Sequence, residues 1–369
     1  MRIAIITDAW YPQTNGVVKT LSTTARMLER LGHRVLVVEP SAFRTFGCPT
    51  YPEIRLAWLP FRKLSRLLAD FEPEAIHIAT EGTLGTAGRK WCLKHGLPFT
   101  TSYHTQFPEY LRARAPVPID LTYAYLRRFH GAATRTMVAT QTMQGQLQSR
   151  GFYNLVRWSR GVDLELFRPR DKDYLNLKGP LFIYVGRVAV EKSIEDFLKL
   201  KLPGTKVVVG DGPERTALQA RYPQVIFTGY KYGEELARCV AAADVFVFPS
   251  RTDTFGLVLL EAMASGVPIA AYPVQGPIDV IRDGVSGVLS EDLQAAALQA
   301  LSLRPADCRG HALDYTWEAA TAQFASNLAP VRGLVPQAAL PNNAVIDLWP
   351  GAARRSSSVD AKESAGSLH

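Results

Sequence analysis

Cysteine is scarce in this sequence. The four residues, Cys48, Cys92, Cys239 and Cys308, are scattered over 369 positions with no C-x-x-C and no histidine at metal spacing. That argues against a disulfide scaffold or a zinc module and fits reduced core thiols of a cytosolic protein. Long apolar runs are missing too: nothing reaches the ~18–20 uninterrupted residues that a membrane span needs. The start, MRIAIITDAWYPQTNG, turns polar after Ile6, which suits a strand and loop better than a signal peptide. Neither half carries G-x-G-x-x-G, which argues against a dinucleotide oxidoreductase. Acidic residues run short in the first 150 positions, where 10 Asp and Glu face 19 Lys and Arg, a net of +9 against +8 for the whole chain. So basic a half points to an anionic partner: a membrane surface, a phosphate-bearing substrate or nucleic acid. No recognised nucleic-acid motif accompanies it, so nucleic acid is not expected.

What is present is a repeated strand–helix alternation. RIAIITD is an apolar run, and NGVVKTLSTTARMLERLGH then shows helical spacing (Val18, Leu21, Ala25, Leu28, Leu31) that stops at Gly32. RVLVVEP follows as a second strand, so the order is that of a βαβ unit with a parallel sheet. AIHIAT, PFTTSYHT and TMVAT continue the series. The pattern restarts at PLFIYVGRV and runs through TKVVVGDGP, QVIFTGY, DVFVFPS and VPIAAYP with helices between. Two doubly wound halves are expected, joined through RPRDKDYLNLKGP and closed by a helix over 313–328. In such folds ligands lie at the carboxyl ends of the strands, here the cleft between the halves.

The chemically suggestive residues fall at those ends. Arg187 and Lys192 follow strand LFIYVG, and two cations there suit a diphosphate, although a solvated loop is an equal reading. VVVGDGP ends a strand in a Gly-Asp-Gly turn that admits close approach of a ligand. Asn15-Gly16 opens a helix whose unpaired N–H groups favour an anion, or is a plain cap. His104 ends strand TTSYH; a lone histidine is more often structural, but its place facing the cleft raises it. In PSRTDTFGLVLLEAMASG, Asp253 to Gly256 form a loop before a helix that is apolar nearly all round, and Glu261 sits inside it. An unpaired buried carboxylate would cost several kcal/mol. Glu261 therefore needs a partner, either polyol hydroxyls or an internal arginine or backbone donor.

These motifs together resemble glycosyltransferase family 4, retaining enzymes of the GT-B fold. Asp253-x7-Glu261 inside TDTFGLVLLEAMASGVP looks like its paired-acid motif. GR…EK, VGDGP, FTGY, YHT and NGVV occur in its order and spacing, and RGVD…F.P at 160–169 resembles its interdomain segment. The family usually has Glu where this chain has Asp253, a shorter arm. The resemblance implies an α/β chain of two doubly wound, Rossmann-like domains facing a cleft. The expected bounds are 1–168 for an acceptor-binding domain, 179–312 for a nucleotide-sugar domain, 313–330 for a closing helix near the junction, and 331–369 for a disordered tail.

It also implies roles. His104, Arg187, Lys192 and Asp253 would be catalytic, with the cations stabilising the departing diphosphate. Gly16, Gly186, Gly210, Asp211, Gly229, Tyr230, Thr254, Phe255, Gly256, Leu257 and Glu261 would hold the nucleotide-sugar, with Glu261 on the ribose. The donor is a substrate, and neither a cofactor nor a metal is implied. The basic, aromatic stretch with Tyr110, Arg112, Arg114, Arg127 and Arg128 suits a helix dipping into anionic headgroups, or one packing on its own sheet. The expected activity is transfer of a hexose or uronic acid, from a UDP-sugar first of all, to a lipid such as diacylglycerol at the inner face of the cell membrane. A GDP-mannose-dependent mannosyltransferase and a nucleotide-sugar epimerase on the same fold are the alternatives.

Overall fold

The computed structural model describes residues 1–13, 15–48, 51–112 and 118–331. Two six-stranded parallel sheets carry the chain. The first takes β1 (Arg2–Ile6), β2 (Arg34–Val38), β5 (Ala75–Ile78), β6 (Thr100–Tyr103), β7 (Arg135–Val138) and β8 (Leu155–Arg157) in the order β2-β1-β5-β6-β7-β8. The second takes β9 (Leu181–Val185), β10 (Thr205–Val209), β11 (Ile226–Gly229), β12 (Val245–Phe248), β13 (Ile269–Ala271) and β14 (Gly287–Leu289) in the order β11-β10-β9-β12-β13-β14. Strands such as β9 and β12 are buried along their whole length, which is why LFIYV and VFVF read as unbroken apolar runs.

The strand order reverses between β1 and β5 in the first sheet and between β9 and β12 in the second. Doubly wound sheets bind ligands at such switch points, beyond the carboxyl ends of the strands. The loops after β1, β9 and β12 are those that hold Gly16, Arg187 with Lys192, and Asp253.

Local signals set the helix that follows β1. The Asn15 side chain accepts from the Val17 and Val18 amides at 3.0 Å each, capping helix Gly16–Arg30. Its apolar face packs on β1 and on the closing helix Trp317–Asn327, where Leu21, Ile3, Trp158 and Phe324 share one core. The closing helix thus returns to the first half, and the Val331 amide reaches the Glu74 carbonyl at 2.8 Å. An antiparallel hairpin, β3 (Thr45–Cys48) with β4 (Tyr51–Ala57), sits outside both sheets and was not expected from the sequence. The expected tail over 331–369 lies outside the described residues apart from Val331. No helix among the described residues is long and apolar enough to cross a membrane.

Candidate active site

The loop after β12 is tied to the loop after β9. Lys192 Nζ lies 2.6 Å from Asp253 Oδ1, both side chains about four-fifths buried, and the Thr252 hydroxyl donates to the Glu191 carbonyl at 3.0 Å. The second carboxylate oxygen, Asp253 Oδ2, is buried and has no hydrogen-bond partner among the described residues. A buried acceptor left open in this way is costly unless something else fills it. Arg187 is half-buried in the same loop as Lys192.

Gly256 caps helix Leu257–Ala264 in the left-handed region, at φ 84°. A Cβ there would meet Leu259 Cδ1 at 2.9 Å, so the turn requires glycine. The helix starts with free amides beside the Lys192–Asp253 pair, a favourable place for negative charge. Phe255 itself is buried, its ring edge-on to Tyr315 at 6.4 Å. Leu257 packs toward Met27 and Trp317, and a Cβ at Gly16 would touch Leu257 Cδ1 at 3.6 Å. Gly16 and the start of the Leu257 helix therefore face each other across the two halves.

Glu261 is 4% exposed, and its partner is neither arginine nor backbone. Lys19, one turn into the Gly16 helix of the other half, pairs with Glu261 Oε1 and lies over the Phe167 ring at 5.2 Å. Sequence reasoning missed Lys19. The available signal was a cation three residues after Gly16, in the first turn of the helix that opens at the candidate anion site.

His104, half-buried at the end of β6, belongs to a directed hydrogen-bond chain. Arg160 Nη2 donates to His104 Nδ1 at 3.3 Å; His104 Nε2 meets Ser102 Oγ at 2.8 Å; His77 Nε2 meets Ser102 Oγ at 3.1 Å. Guanidinium can only donate, so His104 carries its proton on Nε2 and both ring nitrogens are engaged. Burial and the Arg160 charge hold its pKa well below the usual imidazole value, so the ring is neutral. The His104 carbonyl accepts from the Thr254 hydroxyl at 2.7 Å, joining the two halves. Gln106 to Gln275 at 3.0 Å and Thr142 to Asp279 Oδ1 at 3.0 Å join them again further along.

The other candidates lie around this core. A Cβ on Gly210 would fall 1.9 Å from the Gly186 carbonyl, so the ends of β9 and β10 approach too closely for any side chain there. Asp211 turns to Arg215 at 2.6 Å, and the Gly212 amide and Arg215 hold its carboxyl below the usual range. Gly229 sits in the left-handed region at φ 76°. Tyr230 is exposed, donates to the Asp211 carbonyl at 3.2 Å and stacks on Tyr232. The candidate acceptor residues divide. Arg127 and Arg128 are exposed at the end of helix Ile119–His130, with Arg127 donating to the Arg150 carbonyl at 3.1 Å. Tyr110 and Arg112 belong to helix Phe107–Arg112, and Arg114 lies outside the described residues.

Residues 14–166 match the family described as Glycosyltransferase Family 4, and residues 179–304 match Glycosyl transferases group 1. A GDP-mannose-dependent alpha-mannosyltransferase of Mycobacterium tuberculosis is 31% identical over 78% of this chain and 83% of its own length. The chain belongs to glycosyltransferase family 4. Its relatives also include the sulfoquinovosyl transferase of Arabidopsis thaliana, 31% identical over 78% of this chain and 62% of that protein. An alpha-monoglucosyldiacylglycerol synthase of Streptococcus pneumoniae is 28% identical over 85% of this chain and 81% of the relative. The solved sucrose-phosphate synthase of Thermosynechococcus elongatus superposes with a TM-score of 0.71 at 22% identity, over 88% of this chain and 97% of that one. Anabaena HepE, in complex with UDP and glucose, gives 0.67 at 18% identity, over 88% and 98%. Both likenesses bear on the fold, which is GT-B. The two sheets of this glycosyltransferase are its two Rossmann-like layers, and the paired acids follow β12 at the switch point of the second.

Proposed function

We propose that this glycosyltransferase moves mannose from GDP-mannose to a membrane glycolipid or lipid acceptor, with retention of anomeric configuration and without a metal. The observation that carries the reading is the unpartnered Asp253 Oδ2 beside the Lys192 ammonium, at the free amides of the Leu257 helix. A diphosphate laid on those amides would meet Lys192 and Arg187. The transferred sugar would bring hydroxyls to Asp253 Oδ2, and the ribose would reach Glu261 next to Lys19. Gly16, Gly186 and Gly210 leave room at the strand ends, with Gly229 and Tyr230 near the base. Negative charge grows on the departing diphosphate, so fixed cations and amide dipoles stabilise the transition state more than the ground state. Front-face attack assisted by the leaving phosphate needs no enzyme nucleophile, and none is assigned.

The donor reading places guanosine ahead of uridine, reversing the order expected from sequence. Its support is the printed activity of three relatives at 30–31% identity that cover 78–90% of this chain. The acceptor reading is supported by the relatives named for diacylglycerol glycosylation and by a surface at the β3–β4 hairpin. Trp58 and Leu59 are 61% and 79% exposed, with Phe46 edge-on to Trp58 at 5.7 Å. Leu59 adopts a left-handed φ of 46°, which presents an apolar side chain to solvent at some backbone cost. Arg44, Arg55, Arg62, Lys63 and Arg66, just before β3, on β4 and on the helix that follows, are exposed as well, and such cations suit anionic headgroups. Calorimetric titration tests the donor: GDP should bind at least tenfold tighter than UDP, and a preference for UDP would overturn the guanosine assignment.

A further inference from the structure

Arg160 is a charged side chain, 4% exposed, with no carboxylate partner among the described residues. Its Nη1 donates to the carbonyls of Trp158 at 2.6 Å and Ser159 at 3.0 Å, its plane lies over the Trp158 ring at 4.4 Å, and its Nη2 reaches His104. Burying an uncompensated cation costs several kcal/mol. A neutral side chain could fill the same volume, so the position carries a charge that stability does not ask for.

We propose that Arg160 is a positioning residue of the transferase: by donating to His104 Nδ1 it locks the histidine as its Nε2–H tautomer and holds the cross-cleft contact to Thr254. The direction of the next link follows from the first. Arg160 donates to Nδ1, so His104 Nε2–H donates to Ser102, whose own hydroxyl faces both His77 Nε2 at 3.1 Å and the Ala79 carbonyl at 3.4 Å. His77 Nδ1 in turn meets Thr100 Oγ1 at 2.9 Å, and that hydroxyl also reaches the Ile76 carbonyl at 3.4 Å. Residues 100, 102 and 104 share one face of β6, and for that reason the chain runs straight from the sheet interior to the cleft. At its outer end the His104 carbonyl holds the hydroxyl of Thr254, the residue next to Asp253. Without Arg160 the imidazole can take either tautomer and turn, which loosens the wall that faces Asp253 and Lys192. The inference rests on the proposed sugar transfer for its kinetic consequence but not for its structural one.

The test uses the full chain with 15N-labelled histidine and the variants R160M, R160K and S102A, with H104Q to assign the ring signals. In the wild type the His104 ring shows the Nε2–H pattern across pH 6–8. In R160M that pattern is lost or averaged, kcat for lipid glycosylation falls at least tenfold, and the donor KM stays within threefold. R160K, which keeps a donor and a charge, restores the pattern and part of kcat. S102A leaves the Arg160 donor in place and keeps the Nε2–H pattern; where R160M is not recovered folded, R160L gives the same two readouts as R160M. Retention of the Nε2–H pattern in folded R160M or R160L overturns the proposal, and so does its loss in folded S102A or a kcat within twofold of wild type in the Arg160 variant. A wild type with no transferase activity defeats the functional reading instead, and the tautomer measurement still decides the inference.

Discussion

Lys19→Met probes the cross-cleft pair directly. The substitution keeps most of the side-chain volume over Phe167 and removes the cation from Glu261, a carboxylate 4% exposed. Stripping the partner from a fully buried acid costs about 3–5 kcal/mol. Here the Lys19 side chain is 42% exposed, so solvent screens part of the interaction, and the loss should be nearer about 1–3 kcal/mol. In a chain of this size that corresponds to a fall in Tm of roughly 1–4 °C. Nucleotide should narrow the gap, because ribose hydroxyls offer Glu261 the hydrogen bonds that Lys19 no longer gives. Differential scanning fluorimetry of wild type and variant, with and without saturating GDP, reads both effects. An unchanged Tm in the variant would refute the claim that Glu261 depends on Lys19. A gap that GDP leaves the same would refute the claim that ribose meets Glu261.

Other consequences can be measured alongside it. Lys192→Ala removes the cation beside Asp253 and should lower kcat by about two to three orders of magnitude, the scale of losing one preorganised charge stabiliser; a rate within threefold of wild type would take Lys192 out of the site. Gly256→Ala must place a Cβ 2.9 Å from Leu259 at φ 84°, so it should cost about 1–3 kcal/mol in stability, read by urea unfolding, and weaken nucleotide binding with it. His77 is fully buried, and burial followed by the Arg160 charge depresses its pKa to about 3. Between about pH 6.5 and 3 the unfolded chain therefore binds a proton there that the folded chain does not, and stability falls as pH drops through that window. His77→Gln should show a shallower decline of Tm over the same range. Replacing Trp58 and Leu59 by Ser should weaken flotation with anionic vesicles at least fivefold while leaving GDP affinity unchanged.

Much of this architecture was legible because parallel sheets bury their strands on both faces. RIAII, LFIYV and VFVF could be little else once helical spacing appeared between them, and the loops after β9 and β12 followed from the strand ends. The paired acids were legible for a different reason: a carboxylate at position 261 in an apolar helix demands a partner. Which partner it had was not legible. Lys19 stands 242 residues away in sequence, and only the facing of the two sheets brings it to Glu261. The Arg160–His104–Ser102–His77 chain was hidden in the same way, since it joins β5, β6 and the interdomain segment. The β3–β4 hairpin escaped because TFGC is short and glycine-containing and shows no clear alternation. The exposed Trp58 and Leu59 beyond β4 went unnoticed with it, whereas the exposed Arg127 was read from its basic, aromatic stretch.

Transfer of labelled sugar to lipid tests the central claim most directly. Purified chain incubated with radiolabelled GDP-mannose and total membrane lipid should move label into the organic-soluble fraction, and Asp253→Ala should abolish that transfer. Label appearing in no lipid or glycan fraction, from GDP- or UDP-sugars alike, would contradict the account. Interconversion of the nucleotide-sugar without any acceptor would point instead to an epimerase.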